Sequence, residues 1–172
     1  MDKAPRDALF AQCVASHMGI LLKTAHGFAA DAADRDDLVQ EMLISVWEAL
    51  PWFDQQQCKL STFMYRVANN RALNWHRSRR RYRDKLIGFQ NHPQLTLDPG
   101  ETESHASRLE WLYRLIRQLP PLDRTLLMLH LDKLPHREIA EVTGLTETNV
   151  GVRLHRIKQG LAAQKPANDH EL

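Results

Sequence analysis

Apolar residues recur along this chain at three- and four-residue spacing, and no strand-length run alternates apolar with polar. The clearest stripe lies in residues 35–50, where Leu38, Val39, Met42, Leu43, Val46, Trp47 and Leu50 share one helical face. Pro51 ends it, because a proline ring cannot continue a helix. Leu9, Phe10, Cys13, Val14, Ile20 and Leu21 predict an earlier helix over 6–28. After the polar loop PWFDQQQCKL, a long helix carries Phe63, Met64, Val67, Ala68, Ala72 and Trp75, with Ser61 expected as its cap. Residues 86–107 contain two glycines, two prolines and no sustained period, which predicts a linker. Leu109, Leu112, Leu115, Ile116 and Leu119 predict a helix over 108–119, Pro120-Pro121 a boundary, and a further helix is expected over 121–134.

The last periodic stretch, EIAEVTGLTETNVGVRLHRIKQGL (138–161), is interrupted at Gly144. Glycine within a helical pattern costs roughly 1 kcal/mol against alanine, so two helices meeting there is the better account. Ile139, Ala140 and Thr143 share a face upstream; Val150, Leu154, Ile157 and Leu161 share one downstream. Gly144 then ends the first helix with positive φ, Leu145 fills the corner, and Thr146 accepts from the Asn149 N–H as an N-cap. Two helices joined so tightly form a helix-turn-helix. Its second helix presents Thr148, Asn149, Val152, Arg153, His155 and Arg156 outward, a polar and basic face suited to base edges and phosphates. The plainer alternative is a helical hairpin with a solvated basic face.

Composition leaves the picture of a soluble globular chain unchanged: 43% apolar and 26% charged residues, with a net charge of +2. The distribution of charge changes it more. Between Arg66 and Lys85 stand eight basic residues and one acid; between Asp31 and Glu41 stand five acids and one arginine. Two opposed patches address two different partners. The expected architecture is all-α: two small helical domains, 1–85 and 108–165, joined by a flexible linker at 86–107 and followed by a tail at 166–172.

Catalytic chemistry finds little support. Asp34, Asp36, Asp37 and Glu41 could be a metal-dependent nuclease cluster, but the neighbouring helix brings arginines where further ligands would be needed. Asp36, Asp37, Gln40, Glu41 and Ser45 otherwise read as a solvated acidic face. Cys13 and His17, four residues apart, could hold half a metal site; a buried thiol beside an imidazole is the simpler account. Cys58 is the only other cysteine, so neither a disulfide framework nor a zinc module is indicated. No enzyme activity, cofactor or metal is expected. No run approaches 18 apolar residues and MDKAPRDALF lacks a signal-peptide core, so a cytoplasmic chain without membrane insertion is expected.

Two blocks carry a resemblance to a known family. DRDDLVQEMLISVWEAL with LSTFMYRVANNRALNWHRSRRR closely resembles region 2 of the bacterial sigma-70 superfamily. LPPLDRTLLMLHLDKLPHREIAEVTGLTETNVGVRLHRIKQGL resembles its region 4. Both stand in the family's order, with no segment left for regions 1.1 or 3. The similarity is therefore to the minimal, extracytoplasmic-function (ECF) sigma factors of RNA polymerase.

The resemblance implies a division of labour. Asp36, Asp37, Gln40 and Glu41 correspond to the surface that docks on the basic clamp helices of the polymerase β′ subunit, and region 4 to the module that meets the β flap. The loop at 51–61 corresponds to the one that captures a flipped base of the −10 element. Trp52 or Phe53 would supply stacking there, and Asn70 a Watson–Crick contact. Arg71, Asn74, Arg77, Arg79 and Arg80 would follow −10 DNA. Thr148, Asn149, Val152, Arg153 and Arg156 would read the −35 element in the major groove. Asp98, Glu101 and Glu103 would suit a linker occupying nucleic-acid territory. An anti-sigma factor is the further partner implied.

The chain departs from the family pattern at three positions. Phe63 stands where tryptophan is common, Pro135 where a capping Ser or Thr is usual, and Val152 where the DNA-facing residue is commonly polar. A stand-alone helix-turn-helix repressor is the competing reading, but it leaves the acidic helix and the 51–61 loop unexplained.

Overall fold

A computed structural model describes residues 3–87 and 105–162, with side chains for 5–82 and 108–162. Helices α1 (Lys3–Phe28), α2 (Ala32–Ala49) and α3 (Leu60–Ile87) form the first bundle. Helices α4 (His105–Gln118), α5 (Pro121–Leu131), α6 (His136–Thr143) and α7 (Glu147–Ala162) form the second, and no strand occurs among the described residues. Most of the expected linker and the whole of the 166–172 tail lie outside the described residues, as do Asp98, Glu101 and Glu103.

The first core is built from the α2 stripe. Leu38, Val39, Met42 and Val46 meet Cys13, Ile20, Leu21, Ala25 and Phe28 of α1 and Phe63, Met64, Ala68 and Ala72 of α3. Ala68 and Ala72 are small, so α3 lies close against its neighbours. Phe63 is buried in this core. By length and mean hydropathy alone, α1 from Pro5 to Phe28 is long and apolar enough to span a membrane, although polar residues interrupt it and no run of 18 apolar residues exists there. In the fold its apolar stripe is already covered by α2 and α3.

Helix ends differ from expectation in instructive ways. Helix α2 starts three residues earlier than its stripe because Asp31 caps it, accepting from the Asp34 N–H at 2.7 Å. Helix α3 starts at Leu60, which places Ser61 inside the helix rather than at its cap. Helix α5 stops at Leu131 rather than 134. Lys133 adopts φ 62°, its N–H bonds to His130 O, and the Leu134 N–H bonds to Leu129 O, the pair of bonds that closes a Schellman motif. A lysine in the position glycine usually takes hid this stop.

The helix-turn-helix matches the sequence reading closely. Gly144 has φ 73° and its N–H bonds to Ala140 O, while Thr146 Oγ1 accepts from the Asn149 N–H at 3.3 Å. Pro135 begins α6 without a side-chain cap. Val150, Leu154 and Ile157 are buried against Ile116, Leu126, Leu129, Ile139 and Val142.

The bundles are not held apart. Helices α4 and α5 pack on α1, and α5 and α6 pack on α3. Only the C-terminal half of α4 is covered, so Leu109, expected in the core, is 54% exposed.

Candidate nucleic-acid interface

The loop after α2 is held by its own backbone. Pro51 sits in a short 3-10 turn (Leu50–Trp52), and the Phe53 N–H bonds to Leu50 O. Asp54 then organises the next four residues, its carboxylate accepting from the Gln56 N–H at 2.9 Å and from Gln57 Nε2 at 3.0 Å. This turn separates two aromatic rings that looked equivalent in the sequence. Trp52 is 87% exposed, a ring presented to solvent. Phe53 instead packs on Phe63, with ring centroids 4.9 Å apart. Of the two stacking candidates only Trp52 is fully presented to solvent.

Helix α3 makes a similar distinction between adjacent asparagines. Asn69 is buried and donates to Tyr65 O at 2.9 Å. Asn70 points outward, on a surface shared with Asn74 and Arg77, whose Nη1 donates to Asn74 Oδ1 at 3.1 Å. Arg80 is exposed. The other two basic candidates turn back onto α2. Arg71 forks onto Glu41 Oε2 at 2.7–2.9 Å, and Arg79 pairs with Asp34 while lying 4.9 Å from the Trp75 ring centre.

These pairs revise the two patches read from charge. Glu41, expected on the polymerase-facing surface, is half-buried and clipped to Arg71, whereas Asp36, Asp37 and Gln40 are exposed. The Arg71–Glu41 pair is more than a third exposed on both sides, so it is worth at most about 1 kcal/mol. A phosphate can displace such a carboxylate at small cost.

On α7, Thr148, Asn149, Val152, His155 and Arg156 are exposed. Arg153 differs from the expectation of a free outward residue: its Nε donates to Asp123 Oδ1 of α5 at 2.9 Å. Asp123 was missed in the sequence because it lies 30 positions away, in another helix. Arg153, Arg156 and Asp123 border a shallow hollow of about 370 Å³.

The Cys13–His17 pair offers poor metal chemistry. Burial pushes the Cys13 thiol up, away from the thiolate a metal needs. His17 Nδ1 is buried without a hydrogen-bond partner.

Two family models match the chain in order: sigma-70 region 2 over residues 13–82, and sigma-70 region 4 over residues 109–161. The chain belongs to the sigma-70 family, in its extracytoplasmic-function branch. Among curated relatives, the ECF RNA polymerase sigma factor RpoE of Cereibacter sphaeroides is 26% identical over 94% of this chain and 88% of its own length. The ECF sigma factor SigW of Bacillus subtilis is 26% identical over 95% and 92%. Among solved structures, the sigma factor RpoE of Bartonella quintana, crystallised with the anti-sigma factor NepR, superposes with a TM-score of 0.70 at 18% identity, covering 91% of this chain and 98% of that one. CnrH, in complex with the cytosolic domain of CnrY, gives 0.64 at 23% identity over 92% and 91%. The region 2 match covers the acidic helix and the 51–61 loop of this sigma factor, which removes the reading as a stand-alone repressor.

Proposed function

We propose that this sigma factor acts in the cytoplasm, docking on core RNA polymerase through Asp36, Asp37 and Gln40, with Glu41 at the edge of that surface. Region 4 meets the β flap and carries the −35 reader. Trp52 and Asn70 capture an unstacked base of the −10 strand, one by its face and the other by its edge. Asn74, Arg77 and Arg80 hold the adjoining phosphates, and Arg71 and Arg79 join them by exchanging a carboxylate for a phosphate. The chain forms no covalent bond itself. An anti-sigma factor is its expected inhibitor. The observation that carries this reading is the exposed Trp52 on the same bundle as the outward-facing Asn70. Run-off transcription with added core polymerase on the DNA upstream of the chain's own gene tests it. A discrete transcript that depends on the chain is expected; core alone giving the same transcript overturns the proposal.

The two α7 arginines should differ. Arg156 is exposed on the outer face, so Arg156→Ala is expected to weaken binding to all −35 variants alike and to reduce the salt slope by about one phosphate contact. Arg153 is held through its Nε by Asp123, and base reading is the role proposed for it. Arg153→Ala is expected to cost about 1–3 kcal/mol and relax preference at one −35 position. Holoenzyme binding to single-base −35 variants at two salt concentrations checks both; identical uniform losses would remove Arg153 from base reading.

A further inference from the structure

Arg153 and Arg156 of α7 border the same hollow, and Asp123 of α5 bonds to the first of them through its Nε at 2.9 Å. A carboxylate beside a DNA-facing helix is a liability, because it repels phosphates and partly cancels the charge that attracts them. A brace between α5 and α7 is the plain explanation, yet packing leaves little need of one. Leu126 and Leu129 of α5 already share a core with Val150, Leu154 and Ile157 of α7. Arg153 reaches solvent, so the ion pair itself adds little stability.

The carboxylate is firmly placed. Asp123 lies in the first turn of α5, where the helix dipole favours a negative charge. Its neighbour Arg124 is buried and donates to Arg117 O at 2.6 Å and to Leu119 O at 3.0 Å, pinning this end of α5 to the end of α4. The Asp123 side chain is 19% exposed against 39% for Arg153, so the arginine stands outside with the acid behind it. Bonding through Nε leaves four N–H groups on the two terminal nitrogens, the edge that matches the O6 and N7 acceptors of guanine.

Charge compensation then separates the partners that those N–H groups could take. A phosphate attracts arginine chiefly through net charge, which Asp123 has already met. Guanine is neutral and is recognised by the direction of two hydrogen bonds, which a guanidinium held at Nε retains. We propose that Asp123 is a positioning residue of the −35 reader, turning Arg153 from a phosphate clamp into a reader of one guanine. Arg156 remains the phosphate contact at the same hollow. This inference deepens the functional reading above and rests on it.

Holoenzyme binding to the DNA upstream of the chain's own gene, and to single-base −35 variants of it, tests the proposal at two salt concentrations. Asp123→Ala is expected to lower discrimination at one −35 position about tenfold. It should also steepen the salt slope by about one phosphate contact, as the released arginine turns to the backbone. Binding to mismatched variants should hold or tighten, an outcome that a loosened fold does not produce. Asp123→Asn keeps the size and an acceptor oxygen but loses the charge, so it should steepen the slope while retaining part of the discrimination. In an Arg153→Ala background, Asp123→Ala should leave base preference unchanged, because the two residues act as one unit. Uniform weakening on every variant with an unchanged slope would make Asp123 a brace and overturn the proposal. The same Asp123→Ala effect with and without Arg153 would overturn it too. If Arg153→Ala relaxes one position and Asp123→Ala does not, this inference alone falls. A holoenzyme with no promoter preference would overturn the functional reading along with it.

Discussion

Asp37→Lys is expected to weaken binding to core polymerase by about 2–4 kcal/mol, roughly 30- to 1,000-fold, because a like-charge contact replaces an opposite one on basic clamp helices. The substitution should leave the fold intact. Asp37 is exposed on α2, while the helix is held by Leu38, Val39, Met42 and Val46 on its opposite face. Glu41→Lys would be a poorer probe, since it would also set a lysine against Arg71. Competition with a labelled sigma factor for core measures the effect, and unchanged helicity and melting temperature show that it is local. Equal affinity of parent and variant would remove this face from the docking surface.

Trp52→Ala combined with Asn70→Ala is expected to abolish measurable −10 opening while leaving core binding unchanged. Base stacking on an aromatic ring is worth about 1–3 kcal/mol, and a lost edge contact adds a similar amount, so the pair together approaches a thousandfold. Phe53→Ala supplies the contrast. Phe53 packs on Phe63, so its loss should lower the stability of the first bundle rather than act on the base directly. Permanganate reactivity of the −10 thymines reads the opening, and thermal unfolding reads the stability. Melted footprints of equal intensity for the parent and the double variant would end the base-capture proposal.

The same two rings show how far the sequence reaches. PWF places two aromatics after a proline, and only the Leu50–Trp52 turn decides that one faces solvent and the other the core. The basic run on α3 is visible as a run. That Arg71 and Arg79 fold back onto Glu41 and Asp34, while Arg77 contacts Asn74, depends on how α2 crosses α3. The stop of α5 escaped notice for a different reason. Lys133 takes a left-handed conformation that glycine would have advertised.

What the sequence determined by itself is what neighbours along the chain can settle. Helical periodicity, the αL turn at Gly144 and the Thr146 cap all arise within a few residues, where φ/ψ preference and local hydrogen bonds decide. The order of the two blocks, and with it the family, follows from the same local patterns. What tertiary structure alone decided are contacts between distant positions: Arg153 with Asp123 across 30 residues, Lys23 with Asp132 across 109, and the closure of one bundle on the other. A long charged side chain bonds to whichever partner packing brings within reach. Two amphipathic bundles carry no local mark of whether their exposed faces will meet, because that depends on shape and charge summed over both surfaces.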